Sequence, residues 1–169
     1  GQGLLFSGKV LAYAGLIEGR ELSWLPSYGP EMRGGTCNCL VAVSNEPVLS
    51  PYFVRPTDAI IMNQASMERF LKTLDTAKVV VINTSLVELT SEMEKVLENV
   101  KLVRVDATNI AIELGSVKCA NMVMLGAYAK GSAALSLDDL KKSITRKFAK
   151  KPAMVEMNLQ ALDRGYQLA

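Results

Sequence analysis

The chain has 169 residues, 49% of them hydrophobic and 21% charged, and its 19 basic and 17 acidic side chains leave a net charge of +2. A chain of that length buries roughly 70% of the surface its unfolded form would expose, enough for one globular domain without a disulfide or metal staple. The charge balance excludes a general attraction to nucleic acid or to an anionic membrane, and the absence of histidine excludes Ser–His and Cys–His nucleophilic machinery.

Leu4, Gly8, Leu11 and Gly15 recur at helical spacing, which predicts a helix over Leu4–Ile17 that stops at Gly19. Its two small residues would let it lie close on a sheet. A short strand over Leu22–Leu25 ends at Pro26, and the stretch PSYGPEMRGG that follows reads as a shaped loop. Thr36–Ser44 alternates as a strand does, and 45–56 is a loop with three prolines. Strands are then expected at Ala59–Met62, at Lys78–Ile82 with both faces buried, and at Leu102–Val105. Helices are expected at Ser66–Leu74, Thr90–Leu97, Thr108–Leu114, Ala120–Ala129, Leu137–Phe148 and Ala153–Gly165. Ser136 is the expected N-cap of the sixth of these seven helices. Strands alternating with helices predict a three-layer α/β/α sandwich, Rossmann-like, around a mostly parallel or mixed sheet.

Cys37, Cys39 and Cys119 show neither disulfide-framework nor Cys-x-x-Cys spacing. Cys37 and Cys39 fall on one face of a strand and read as small buried hydrophobes. The apolar run from Cys119 stops at Lys130, too short to cross a bilayer. No basic leader precedes the opening segment, so no signal peptide is expected and the cytoplasm is the expected location.

The opening GQGLLFSGKV imitates a phosphate-binding P-loop, with Gly3, Gly8 and Lys9 in register. The position that needs a metal-binding hydroxyl is Val10, and helical periodicity already begins at Leu4. Gly1, Gln2 and Gly3 fit a βα turn better, with free N–H groups at the helix start able to hold an anion. A dinucleotide site would need a third glycine, with Glu21 roughly in the place of the acidic residue.

Trp24–Thr36 (WLPSYGPEMRGGT) is the most specific segment. It follows a strand, where ligands bind in open α/β sheets. Tyr28 offers a ring and a hydroxyl, Glu31 and Arg33 offer charge, and Gly34 and Gly35 offer backbone donors. A rigid connection with structural ion pairs explains the same residues equally well.

The GQG turn, this loop, Asp58 with Met62-Asn63-Gln64, Thr108-Asn109 and the helix from Asn121 to Ala127 together resemble the gamma subunit of 2-oxoacid:ferredoxin oxidoreductases. The resemblance spans the whole chain as one gamma domain, 1–169, and implies a strand before Gly1 that is missing here. It implies CoA-acylating oxidative decarboxylation of a 2-oxoacid by a complex using thiamine diphosphate, Mg²⁺, iron–sulfur clusters and CoA. None of these cofactors is expected on this chain alone, which would be inactive in isolation. The implied partners are alpha and beta subunits, a ferredoxin-like delta subunit and ferredoxin as acceptor. Ser27, Tyr28, Glu31, Arg33 and Asn63 are the residues expected near substrate or CoA. Arg33 suits a phosphate or carboxylate, and Glu31 orients it. The Glu-Met-Arg-Gly-Gly-Thr pattern resembles the 2-oxoglutarate group, with branched-chain 2-oxoacids and pyruvate as alternatives. A stand-alone nucleotide-binding module is the other reading.

Overall fold

The computed structural model describes residues 2–29 and 35–169. Strands β3 (Asp58–Ile61), β4 (Val79–Asn83) and β5 (Lys101–Val105) form a parallel sheet in that order. All five residues of β4 are buried, as a central strand covered on both faces requires. Strand side chains alternate, so Val79, Val81, Val103 and Val105 enter one core while Val80, Ile82 and Leu102 enter another.

The first core is covered by helix α5 (Ala120–Ser132), which is buried along nearly its whole length and carries no apolar stripe. Such a helix belongs in the middle of a protein. Helix α7 (Pro152–Leu168) backs it, starting with the proline that the first helical turn tolerates. Gly126 and Gly165 set how closely these two helices approach. A Cβ on Gly126 would stand 1.9 Å from the Leu162 carbonyl oxygen, and one on Gly165 would stand 1.9 Å from that of Val123. The second core is closed by α2 (Gln64–Phe70), which runs on into a 3-10 turn at Leu71–Thr73, and by α3 (Ser91–Val96). Thr90 caps α3 by accepting from the Met93 N–H. The three layers expected from the sequence are present.

Strands β1 (Glu21–Tyr28) and β2 (Cys37–Ser44) pair antiparallel in a separate two-stranded sheet, not on the edge of the parallel one. Leu22 opposes Val43, Trp24 opposes Val41 and Pro26 opposes Cys39. Helix α1 (Leu4–Ile17) packs on this hairpin. Its glycines are spaced for that contact, since a Cβ at Gly8 would meet Cys39 Sγ at 2.5 Å and one at Gly15 would meet Val43 at 2.8 Å. The close approach expected of these small residues is therefore made to the hairpin rather than to the parallel sheet.

Strand β1 runs past Pro26 to Tyr28, three residues beyond its expected end. Among the described residues β1 pairs with β2 alone, so a proline whose nitrogen faces the open side removes no ladder bond. Ser27 and Tyr28 are therefore strand residues, not loop residues. Between the two sheets' helices, α4 (Ala107–Glu113) follows β5, and α6 (Leu137–Lys147) lies beside α1. Ser136 caps α6 as expected, accepting from the Asp139 N–H at 3.1 Å.

Candidate functional site

Helix α1 begins on Gly3, whose φ of 70° lies in the left-handed region that glycine enters without strain. The Gly3 carbonyl accepts from Asn121 Nδ2 at 3.1 Å and from the Ser7 N–H at 3.0 Å. Among the described residues no side chain caps the first turn of α1, so its leading N–H groups are left for solvent or a ligand. This end of the helix opens into a groove of ≈ 1040 Å³ between the carboxyl end of β3 and the end of the β1–β2 hairpin where Tyr28 pairs with Cys37.

Gln2 and Asn63 form one wall of the groove. Asn63 Nδ2 donates to Gln2 Oε1 at 2.7 Å, and Gln2 Nε2 reaches the Met62 carbonyl at 3.4 Å. Asn63 Oδ1 also accepts from the Ser66 N–H at 2.9 Å, which makes Asn63 the N-cap of α2. The helix expected from Ser66 thus starts two residues earlier, and Ser66 supplies the capped N–H. Tyr28 stands on the opposite wall, 70% exposed. Ser27 is exposed and does not line the groove, because neighbours on a strand point to opposite faces.

Gln2, Gly3, Tyr28 and Asn63 therefore converge, while Gly1, Glu31, Arg33 and Gly34 lie outside the described residues. Arg69 is a groove residue that sequence reasoning missed. It sits in the last turn of α2, its guanidinium over the Phe70 ring and donating to Thr36 Oγ1 at 3.1 Å. Among the described residues no aspartate or glutamate lines the groove. An uncapped helix start, an arginine and no carboxylate make its field favourable to an anion.

Behind the groove lies Asn83, fully buried at the end of β4. Its Oδ1 accepts from the N–H groups of Ser85, Ala107 and Thr108. Its Nδ2 donates to the Met62 carbonyl at 3.2 Å and to Thr108 Oγ1 at 2.9 Å. One side chain thus ties the carboxyl ends of β3 and β4 to the start of α4. Beside it Ser85 Oγ donates to Asp106, whose carboxylate also takes both contacts from Asn109 Nδ2, each 3.0 Å. The Thr108-Asn109 pair picked out in the sequence serves this support of the strand ends.

Cys37 lines the groove, and Cys39 turns inward beneath α1, its Sγ facing the Leu4 carbonyl at 3.8 Å. Both are free thiols and half-buried, less enclosed than the sequence suggested. Burial, reinforced by the nearby Cys37, pushes Cys39 up to about 11 against the opposing effect of the Trp24 indole N–H beside it. A thiol held neutral at that level is no nucleophile. Among the described residues no three side chains of the His, Cys, Asp and Glu types gather to hold a metal ion, and no helix is long and apolar enough to cross a membrane.

The family model described as pyruvate ferredoxin/flavodoxin oxidoreductase matches residues 1–168. The ketoisovalerate oxidoreductase subunit VorA of Methanothermobacter marburgensis is 36% identical over 98% of this chain and 34% of its own length. The chain thus spans about a third of that relative. The 2-oxoglutarate synthase subunit KorC of Methanocaldococcus jannaschii is 31% identical over 100% of this chain and 89% of its own. The keto/oxoacid ferredoxin oxidoreductase gamma subunit of Geobacter sulfurreducens shares the fold with a TM-score of 0.78 at 22% identity, covering 99% of this chain and 92% of that one. The strand-end groove, the glycine turn and the α/β/α layers are thus those of a chain that belongs to the pyruvate ferredoxin/flavodoxin oxidoreductase family.

Proposed function

We propose that this chain is the gamma component of a multi-subunit 2-oxoacid:ferredoxin oxidoreductase, and that its groove receives the anionic end of CoA or of the 2-oxoacid. The observation that carries this reading is the uncapped start of α1 opening between Gln2, Asn63, Tyr28 and Arg69 with no described carboxylate on the walls. Backbone N–H groups at a helix start bind phosphate or carboxylate, and an arginine fork beside them adds a bidentate partner. Arg33 stands in sequence two residues from Gly35, a groove residue, and is assigned the same task, with Glu31 as its orienting partner.

The chemistry of the 2-oxoacid belongs to the rest of the complex. Thiamine diphosphate with Mg²⁺ and the iron–sulfur clusters are assigned to alpha, beta and ferredoxin-like delta partners. Ferredoxin is the acceptor, and the assembly works in the cytoplasm. The substrate assigned here is 2-oxoglutarate, from the Glu31–Thr36 pattern and the KorC relative. A branched-chain 2-oxoacid is the second reading, favoured by the greater identity to VorA.

The test is anaerobic purification of the tagged chain with its partners, followed by CoA-dependent viologen reduction with 2-oxoglutarate, 2-oxoisovalerate and pyruvate. Activity with one acid names the substrate. Arg33→Ala and Arg69→Ala should raise the KM for CoA or for the acid while the complex still assembles. Unchanged KM and kcat in both variants would remove the groove from the ligand path. Recovery of the chain alone with a nucleotide bound would favour a stand-alone nucleotide-binding module.

A further inference from the structure

A second cavity, of ≈ 420 Å³, lies between α1, α6 and strand β1 and shares only Phe6 with the groove. Its walls are aromatic and aliphatic, with Phe6, Tyr13, Leu16, Leu22 and Trp24 contributed by two elements. Phe6 is itself braced by Phe148, ring centroids 5.2 Å apart. The buried hydroxyl of Ser143 in this cavity is already committed, donating to the Val10 carbonyl at 3.1 Å. The charged groups at its rim are all cations: Lys9 from α1, and Arg146 and Lys147 from the end of α6.

The last-turn cations of α6 alone would be ordinary partners of a helix C-terminus. Lys9, however, comes from mid-α1 and converges on the same opening. Its Nζ stands 4.7 Å from the Trp24 ring centroid, and the Arg146 guanidinium stands 5.1 Å from that of Tyr13. None of the three is ion-paired with a described carboxylate, and no acid lines the cavity. Apolar walls with a few convergent charged groups, at this volume, describe a small-ligand pocket.

We infer that this cavity is a binding site for a small amphipathic monoanion, a carboxylate carrying an acyl chain or an aromatic ring. The apolar body would lie against Trp24, Tyr13 and Leu22, with the carboxylate between Lys9 and Arg146. Bringing the carboxylate there costs little desolvation of the protein, because the two cations sit at the exposed rim. The site is independent of the proposed function, and either stands if the other fails.

Trp24 is the only tryptophan of the chain, so its emission reports occupancy directly. Octanoate is the probe, and octan-1-ol, with the same chain and no charge, is its control. Octanoate should shift the emission saturably and bind at least about threefold more tightly than octanol, as expected for charge pairs at an exposed rim. Lys9→Gln with Arg146→Gln should remove that preference and leave octanol binding unchanged. If the double variant does not fold, the unmodified chain still decides: the octanoate preference should shrink in high salt. Equal binding of octanoate and octanol, or no emission change and no calorimetric heat with octanoate, overturns the assignment.

Discussion

Replacing Asn83 with alanine tests whether the strand ends behind the groove are held by one side chain. The amide makes five contacts from a fully buried position, and its nearest backbone partners, the Ala107 N–H and the Met62 carbonyl, belong to buried residues. Alanine leaves the Ala107 N–H without an acceptor and weakens the satisfaction of Met62. Each orphaned group costs about 1–3 kcal/mol, so the variant should lose about 3 kcal/mol. For a chain of this size about 1 kcal/mol moves Tm by about 2–4 °C, which places the expected fall at roughly 6–12 °C. Thr108→Val removes one contact to Asn83 and should cost only about 1 kcal/mol. The assay is urea and thermal denaturation of both variants beside the parent chain. An Asn83→Ala loss below about 1 kcal/mol, or one no larger than that of Thr108→Val, refutes the account of Asn83 as the common tie.

The α5–α7 contact makes a second prediction. Gly126→Ala must move its new Cβ from 1.9 Å to at least 3.0 Å from the Leu162 oxygen, against backbone rather than a yielding side chain. Overpacking of this kind costs typically 1–3 kcal/mol or more, and equilibrium denaturation should show at least the upper end. A variant as stable as the parent chain would mean the helices are not in this contact. Alkaline pH supplies the third. The folded chain holds the Cys39 proton up to about 11 against an ordinary 9.0, so the unfolded chain ionises first. That contribution is complete below 9 and is lost as pH rises toward 11. Tyr128, half-buried and pushed up to about 12 by loss of solvent, extends the same trend further. Denaturation midpoints should fall across this range, and less steeply in Cys39→Ala. Parallel curves for the two proteins would contradict the burial of that thiol.

Much of the fold could be read from the chain because its strongest signals are periodic and uninterrupted. The recurrence of Leu4, Gly8, Leu11 and Gly15 marks α1 with the bounds seen in the structure, and the Lys78–Ile82 run reads as a strand covered on both faces, as β4 is. Pro26 was misleading, because it looks like a strand end, and only the knowledge that β1 lacks a second neighbour makes it tolerable. Asn63 was visible as a candidate, and its cap on Ser66 is local, but its bond to Gln2 joins residues 61 positions apart in sequence. Arg69 reads as one more charge on a short amphipathic helix, and its place in the groove follows from how α2 packs under Thr36. Asn83 closes an otherwise apolar strand, one residue past the strand's expected end at Ile82. A single polar residue following four buried aliphatics was the available signal that something must satisfy it.

The hairpin β1–β2 is held by its own ladder and by α1, with no strand of the parallel sheet beside it. Its residues are half-buried at best, whereas β4 is sealed on both faces. Opening the hairpin therefore exposes little apolar surface, and the rest of the domain need not open with it. Amide hydrogen exchange should separate the chain into two cooperative units, with the hairpin amides exchanging through a local opening and the β4 amides only through global unfolding. The wall of the groove that bears Tyr28 then opens at a lower free energy than the parallel sheet. It can adjust to what docks there while the Gln2–Asn63 wall, fixed to the parallel sheet through Met62, keeps its place.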